Sequence, residues 1–428
     1  YHRSWVDPPI WASREPVGTC RPSDRVLRED RPSHPICCRD EEAVEKGYAI
    51  LNSTGRPPAD DAILDLSDPE AVRWYQEKLA RLLEMGVGAL VADFGEAAPL
   101  FGVYAARRSG FTEHNLYPLR YNKAVTEAME EVSGEPIIWA RSAWAGSQRY
   151  PVHWGGDAEN TDCAMAATLR GGLSLGLCGF SFWGHFVGGY AHQSPRELYR
   201  RWLAFGMLTS HANTNGRPPT EPWEYDEAFT REFRPIVEMR YRLMPYVYAQ
   251  AKLSSEAGHP MLRTLFFEYP EDPASWLIED QYLFGTDILV APLMEDVPGR
   301  DVYLPPGLWT DYQTGKSYEG SGWHHMTAGE VPVVMLVREG AAIPHARLAQ
   351  STAWIDWSEI ELVVYGHEGM RTAEGTVCLP EEGVTHRLRL KEDRDGYSLE
   401  EDPLSGRVGW KIRTAPGRTP RPGEATSG

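Results

Sequence analysis

The chain has 428 residues, of which 42% are hydrophobic and 24% charged, the composition of an ordinary globular protein. Because a single core seldom extends beyond about 300 residues, this length predicts a large domain and at least one smaller one. The formal net charge of −18 argues against a nucleic acid as partner. No run of about 18 apolar residues occurs, so the sequence predicts no membrane-spanning helix.

The cysteines and the N-terminus bear on the cellular compartment. The six Cys have no paired spacing, which argues against a disulfide framework and against a zinc site. No basic segment followed by an apolar stretch opens the chain, so no signal peptide is predicted. We therefore expect a cytoplasmic protein without metal or cofactor, and we leave association into a homo-oligomer open.

Residues 1–40 differ in composition from the rest of the chain. They contain seven Arg, six Pro and three of the six Cys, and they lack apolar periodicity of either kind. Two interpretations are equally open, a disordered arm or an out-of-frame or mis-started translation of a GC-rich gene. Both predict an irregular, atypical N-terminal segment.

Residues 41–285 alternate between buried strands and helices, which is the pattern of parallel βα units. Asp68 and Pro69 are expected to open the first helix, which should end at Gly86. A capping box of Ser194 and Glu197 is expected to open a later helix, 194–206, and another helix is predicted at 160–171. The predicted strands are 89–92, 136–140, 178–183, 207–211 and 261–267.

From residue 286 the pattern changes to short strands separated by Pro and Gly. Apolar segments at 288–292, 302–304 and 331–337 predict a β domain over residues 286–345. Residues 346–428 are expected to form part of a distal β domain and to end in a disordered tail. The predicted fold is therefore an α/β barrel followed by a C-terminal β-sandwich.

Polar side chains follow the predicted strands at the points where the strands end. They are Asp93 and Glu96 after the first strand, Arg141 and then Asp157 after the second, and Trp183 and His185 after the third. In a (β/α)₈ barrel, catalytic groups lie at these C-terminal strand ends. A single acid in this place is more often only a helix N-cap. Two acids with an Arg and several Trp between them instead favour carbohydrate chemistry.

Asp93 and Asp157 provide the two carboxyl groups that glycoside hydrolysis needs. One attacks the anomeric carbon, and the other donates a proton to the leaving oxygen; in a retaining pair the two lie about 5–6 Å apart. Arg141 can donate two hydrogen bonds to a sugar hydroxyl and can keep a neighbouring nucleophile ionised. Burial beside Trp154 and the charge of Asp93 should keep Asp157 protonated near neutral pH.

Three motifs of the chain resemble glycoside hydrolase family 31, the family of α-glucosidases, α-xylosidases and sulfoquinovosidases. They are Val91-Ala-Asp-Phe-Gly-Glu96, His153-Trp-Gly-Gly-Asp157 and His185-Phe-Val-Gly-Gly189. The resemblance runs from about residue 44 to about residue 344. It looks closest to the bacterial α-xylosidases, in which Asp-Phe-Gly-Glu replaces the Asp-Met-Asn-Glu of α-glucosidases. It implies a (β/α)₈ TIM barrel followed by a β-sandwich.

The resemblance also implies a role for each matching residue. Asp93 matches the nucleophile, Asp157 the acid/base, and Glu96 a supporting acid beside the nucleophile. The implied substrate-binding residues are Arg141, Trp154, Trp183, His185, Phe186 and His211. For Trp183 and His185 a position in the pocket wall and a position behind it are equally open, and His211 has a purely structural alternative.

Two positions depart from the family pattern. The xylosidases carry a Lys two residues before the nucleophile, where this chain has Val91. Most members carry Asp in a His-Asp-Ile-Gly-Gly motif, where this chain has Phe186. The second departure is either local drift or the sign of a changed substrate, and we favour the changed substrate.

The resemblance implies a retaining exo-α-glycosidase that hydrolyses terminal α-linked xylosyl or glucosyl residues of oligosaccharides or other α-glycosides. An α-transglycosylase and an inactive sugar-binding protein are the alternatives. The five predicted strands would be strands four to eight of the barrel, and an open sheet leaves its edges unpaired. Residues 1–428 alone are therefore expected to lack glycosidase activity.

Overall fold

A computed structural model describes residues 37–56, 62–214, 216, 220–394 and 396–416 of the chain. The chain divides into two compact units, residues 1–154 and residues 155–428. The greater part of the segment that was predicted to be irregular, residues 1–36, lies outside the described residues. So does the end of the predicted tail, from residue 417.

The first unit combines helices with a small parallel sheet. Its helices are α1 (Cys37–Glu45), α2 (Pro69–Glu84) and α3 (Gly110–Ser133), and its strands are β1 (Leu90–Ala92), β2 (Ile138–Ala140) and β3 (His153–Trp154). Strand β2 pairs in parallel with β1 and with β3, which confirms the predicted parallel βα arrangement. Helix α1 begins at Cys37, so its first residues lie within the segment that was predicted to be irregular.

Local sequence explains where α2 begins. The Asp68 carboxylate accepts a hydrogen bond from the N–H of Glu70, and Pro69 takes the first helical position, as predicted. The apolar face of α2 packs against α3 over the strands, in a core that includes Leu79, Tyr121 and Leu90. This packing holds β1 and β2 in place against the two helices.

The second unit begins with βα segments. Its helices are α4 (Asp162–Leu177), α5 (Arg196–Met207), α6 (Glu227–Arg242), α7 (Met244–Ala257) and α8 (Leu265–Glu268), and its first strands are β4 (Trp183–Gly184) and β5 (Leu262–Arg263). The predicted strand 207–211 is wrong, because Met207 ends α5 and residues 208–211 form no strand. The predicted capping box is also wrong, since Pro195 is the N-cap of α5 and no side chain caps this helix.

The remainder of the second unit is built from β-strands. They are β6 (Tyr282–Phe284), β7 (Ile288–Pro292), β8 (Gly299–Leu304), β9 (Leu308–Asp311), β10 (Ser317–Glu319), β11 (Gly322–Thr327), β12 (Val333–Arg338), β13 (Ala342–His345), β14 (Glu359–Val364), β15 (Thr372–Cys378), β16 (Thr385–Asp393), β17 (Gly396–Leu399) and β18 (Gly409–Thr414). The largest sheet has the order β10-β9-β12-β7-β6-β5. The predicted change to a β-rich region near residue 286 is therefore confirmed.

The main core of the second unit lies between its helices and this sheet. Trp202, Phe205 and Phe229 from the helices pack with Phe284 and Val333 from the strands, and all five are fully buried. Among the described helices, none is both long enough and apolar enough to cross a membrane. The core thus provides a rigid support for the loops that follow β4 and α5.

Candidate active site

A sharp turn places Asp93 directly after β1. Phe94 and Gly95 both have a positive φ, 55° and 93°, and the Phe94 N–H donates a hydrogen bond of 2.9 Å to Asp93 Oδ1. A side chain at position 95 would approach Ser142 Oγ to 2.4 Å, so the glycine is required here. A positive φ at a non-glycine residue costs about 1–3 kcal/mol and is found mainly at functional sites. The turn leaves Asp93 at the strand end with 8% of its surface exposed.

Arg141, which follows β2, joins the two acidic residues of this turn. Its Nη1 lies 3.0 Å from Asp93 Oδ1, and its Nη2 donates a hydrogen bond of 2.6 Å to Glu96 Oε1. The guanidinium carbon lies 4.0 Å from the centre of the Phe94 ring. A positive charge at this distance favours the ionised form of a carboxylate, and the predicted role of Arg141 in keeping Asp93 ionised stays a prediction. Both terminal nitrogens have carboxylate partners, so a bond from Arg141 to a sugar hydroxyl stays a prediction.

Asn122 is a supporting residue that sequence reasoning missed. It lies fully buried in the middle of α3, and its Nδ2 donates to the Ser142 carbonyl (3.0 Å) and to His153 Nε2 (3.2 Å). It therefore ties the end of β2 to the start of β3. Nothing in the periodicity of α3 distinguishes this polar residue from the others of the helix.

Trp154, the predicted lining of the sugar subsite, is almost completely buried. Only 2% of its surface is exposed, and its ring lies 4.5 Å from that of Trp139 at an angle of 31°. Because it ends β3, it lies in sequence three residues before Asp157. Its contact with substrate stays a prediction.

Asp157 lies in the second unit on a loop that is fixed by the loop around Phe186. The Tyr190 N–H donates to the Ala158 carbonyl (2.9 Å), and Asn160 Nδ2 donates to the Gly188 carbonyl (2.5 Å). Asp157 itself is exposed. The expected burial of Asp157 is therefore wrong for this structure, and its protonation and its distance from Asp93 stay predictions.

Trp183 and His185 lie inside the packing of the second unit. Trp183 covers Gly172 of α4, and Trp202 Nε1 donates a hydrogen bond of 3.1 Å to His185 Nδ1. The His185 ring stacks on Phe205 at 4.6 Å, and burial lowers the pKa of His185 to about 3, so the ring is neutral. This burial favours the position behind the pocket wall that the sequence left open for both residues.

Phe186 and His211 differ in their exposure. Phe186 is fully buried and stacks on Tyr190 with 5.1 Å between ring centres. His211 is partly exposed, and its ring lies so close to Gly184 that a side chain there would approach His211 Cδ2 to 2.5 Å. His211 is thus held at the end of β4 with part of its surface accessible, as a sugar ligand requires.

Parallel strands that end in an Arg-paired carboxylate are typical of α/β enzymes with catalytic groups at one end of the sheet. Residues 25–250 match the model of the glycosyl hydrolases family 31 TIM-barrel domain, and residues 258–343 match the family 31 C-terminal domain. The chain belongs to glycoside hydrolase family 31. Its predicted fold, a TIM-barrel domain followed by a β-rich domain, is confirmed. The match begins at residue 25, inside the segment that was predicted to be atypical.

The curated relatives include α-xylosidases, two of which show the extent of the match. That of Emericella nidulans is 38% identical over 297 residues, which cover 66% of this chain and 38% of the relative. That of Lactiplantibacillus pentosus is 34% identical over 346 residues, which cover 76% of this chain and 45% of the relative. The chain therefore spans less than half the length of these two relatives.

A solved structure supports the same assignment. The family 31 dextranase of Flavobacterium johnsoniae, in complex with glucose, is 26% identical and superposes with a TM-score of 0.75. The superposition covers 83% of this chain and 48% of the dextranase. Among the described residues, no group of three or more His, Cys, Asp or Glu side chains is arranged to hold a metal ion.

Proposed function

We propose that this protein is a retaining exo-α-glycosidase that removes terminal α-linked xylosyl or glucosyl residues from oligosaccharides or other α-glycosides. The observation that supports it most directly is the pairing of Asp93 with Arg141 at the end of β1. The relatives named as α-xylosidases favour xylose as the sugar. Val91, where xylosidases of the family carry a Lys, favours keeping glucose as the second candidate.

The proposed reaction has two displacements at the anomeric carbon. Asp93 attacks this carbon while Asp157 gives its proton to the leaving oxygen, which forms a β-glycosyl ester on Asp93 and releases the alcohol. Asp157 then removes a proton from water, which attacks the same carbon and breaks the ester with net retention. Arg141 contributes by holding Asp93 ionised and, through Glu96, by fixing the turn after β1.

Two substitutions test these roles in the protein expressed from its complete gene. Asp93→Ala should abolish hydrolysis of both a nitrophenyl α-xyloside and an α-linked disaccharide. Asp157→Ala should slow the disaccharide by roughly 10²–10⁴-fold but spare kcat/KM for the nitrophenyl substrate, whose leaving group needs little proton donation. The kcat for the nitrophenyl substrate should fall, because Asp157 is also the base of the second step. Azide should restore turnover of Asp157→Ala and give an α-glycosyl azide. Glu159→Gln, an exposed acid two residues further on, is the control and should have little effect.

Other outcomes distinguish the alternatives. Equal loss with both substrates in both variants would mean that the two carboxylates are assigned wrongly. Transfer products that exceed the free sugar when an acceptor sugar is added would indicate a transglycosylase. Sugar binding by calorimetry without turnover of either substrate would indicate an inactive sugar-binding protein.

A further inference from the structure

Residues 207–211 connect the end of α5 to His211 without forming a strand, and four successive carbonyls of this segment accept hydrogen bonds from side chains. Arg240 donates to the carbonyls of Met207 (3.2 Å) and Thr209 (2.6 Å) through Nη1 and to that of Ser210 (2.8 Å) through Nη2. The Tyr282 hydroxyl donates to the Leu208 carbonyl (2.9 Å). These side-chain donors take the place of the backbone N–H groups of a neighbouring strand, because buried carbonyls need a hydrogen-bond partner.

Among the described residues, the Arg240 guanidinium donates hydrogen bonds only to this segment. It lies partly buried in α6, and no Asp or Glu among the described residues forms an ion pair with it. Its guanidinium carbon lies 5.8 Å from the centre of the Phe284 ring. Loss of solvent lowers the pKa of Arg240 to about 10, so it stays charged at neutral pH. The three bonds leave from two separate nitrogens of the planar guanidinium, whereas the three donors of a lysine ammonium radiate from a single nitrogen and cannot reproduce this arrangement.

The same segment determines where His211 lies. The Ser210 hydroxyl donates to the Trp183 carbonyl (2.7 Å), accepts from the Trp183 N–H (3.0 Å) and lies 3.3 Å from His211 Nδ1. The missing side chain of Gly184 provides the space for the His211 ring. A shift of the segment would therefore move His211 away from the end of β4.

We propose that Arg240 is a positioning residue, which fixes the backbone of residues 207–210 so that His211 lies against the end of β4 and is presented to the sugar. The part that concerns sugar binding rests on the proposed function. The part that concerns the position of His211 follows from the hydrogen bonds and can be tested without turnover.

The structural test follows the imidazole signals of the histidines in an NMR spectrum of the protein expressed from its complete gene. The His211 signal is identified by its loss in His211→Gln. Arg240→Lys should shift or broaden this signal and leave those of distant histidines unchanged, even if the protein has no activity. An unchanged His211 signal in a folded Arg240→Lys variant would overturn the proposal.

The kinetic test is a double-mutant cycle with a nitrophenyl α-glycoside. Arg240→Lys should lower kcat/KM at least tenfold in the parent but less than twofold in His211→Ala, because the two changes remove the same contact. Equal losses in both backgrounds would show that Arg240 does not act through His211 and would overturn the proposal. If the parent has no turnover, a shift of the His211 signal in Arg240→Lys would still support the positioning role of Arg240, and the missing turnover would contradict the proposed function.

Tyr282→Phe is the matched control. It removes the fourth of these side-chain hydrogen bonds, at the Leu208 carbonyl, but leaves the three bonds of Arg240 in place. It should lower the melting temperature and change kcat/KM less than twofold. If Arg240→Lys unfolds below the assay temperature, Arg240→Gln, which retains an amide donor, takes its place in both tests, with the same outcomes deciding the proposal.

Discussion

At the scale of single residues, Phe186 is the departure from the family pattern for which we favour a changed substrate. Most members of the family carry an Asp here, whereas this chain has a fully buried Phe186 stacked on Tyr190. A parallel bridge to Asn213 holds the backbone of this residue in place. The ring therefore belongs to the packed interior, and a carboxylate in its place would need charged or polar partners in an apolar setting.

We expect Phe186→Asp to lower the free energy of unfolding by about 3 kcal/mol or more and to reduce turnover of the native substrate, because the ring is lost and a charge is buried. Thermal unfolding and hydrolysis of α-xyloside and α-glucoside check this. Phe186→Leu, which keeps an apolar side chain, is the control for the lost volume. Higher turnover in Phe186→Asp would indicate simple drift, and no change in stability or activity would end the idea of altered specificity.

Residues that follow buried strands were the predictable part of the site. The pairing of Arg141 with Asp93 was expected because both follow neighbouring parallel strands, and such strands end on the same side of a sheet. The exposure of Asp157 was not predictable, since burial of a loop residue depends on which other loops cover it. Asn122 was not predictable either, because its partners Ser142 and His153 are distant in sequence.

At the scale of elements, helix α4 meets strand β4 through a glycine. A side chain at Gly172 would lie 2.2–2.3 Å from three atoms of the Trp183 ring, whereas nothing lies within 4 Å of a side chain at Gly171. The two adjacent glycines of α4 thus differ only in what they face. Replacing each glycine by alanine in turn therefore separates the effect of helix preference from the effect of close packing against the Trp183 ring.

We expect Gly171→Ala to stabilise the protein by up to about 1 kcal/mol without changing activity, since alanine favours a helix over glycine. Gly172→Ala should instead destabilise it by about 1–3 kcal/mol and lower kcat/KM, because the new methyl group displaces Trp183. Thermal unfolding and nitrophenyl glycoside hydrolysis measure both effects. Equal stabilisation by the two substitutions would mean that α4 and β4 do not pack as described.

The wrongly predicted strand 207–211 and the missed strand β3 each have a physical explanation. Residues 207–211 begin with the apolar side chains of Met207 and Leu208, but Arg240 and Tyr282 donate to the carbonyls of the segment in place of a neighbouring strand. No local sequence pattern indicates donors that lie about 30 or 70 residues away. Strand β3 has only two residues, too few for periodicity to detect. By contrast, the start of α2 depends on Asp68 and Pro69 alone and was predicted correctly.

At the scale of the whole molecule, the order of an α/β region and a β-rich region was predictable from the change of pattern near residue 286. The two family domains, over residues 25–250 and 258–343, agree with this order.

Three buried histidines distributed over the chain, His153, His185 and His345, share a further property. Each accepts a hydrogen bond at one ring nitrogen, from Asn122, Trp202 and Tyr312 respectively.

A ring that accepts a hydrogen bond must be neutral at that nitrogen, and burial lowers the pKa of His153 and His345 to about 4 and that of His185 to about 3. In the unfolded chain these groups titrate near pH 6.5, so between pH 6.5 and 4 the unfolded state binds more protons. Stability should therefore fall on acidification through this window, by roughly 3 kcal/mol per histidine at pH 4.

The melting temperature from pH 7 to pH 4.5 checks this, with His345→Gln as control. Its amide offers a donor and an acceptor and does not titrate, so the melting temperature of this variant should fall less on acidification than that of the parent. Parallel curves for the two proteins would contradict the assignment of a buried neutral His345.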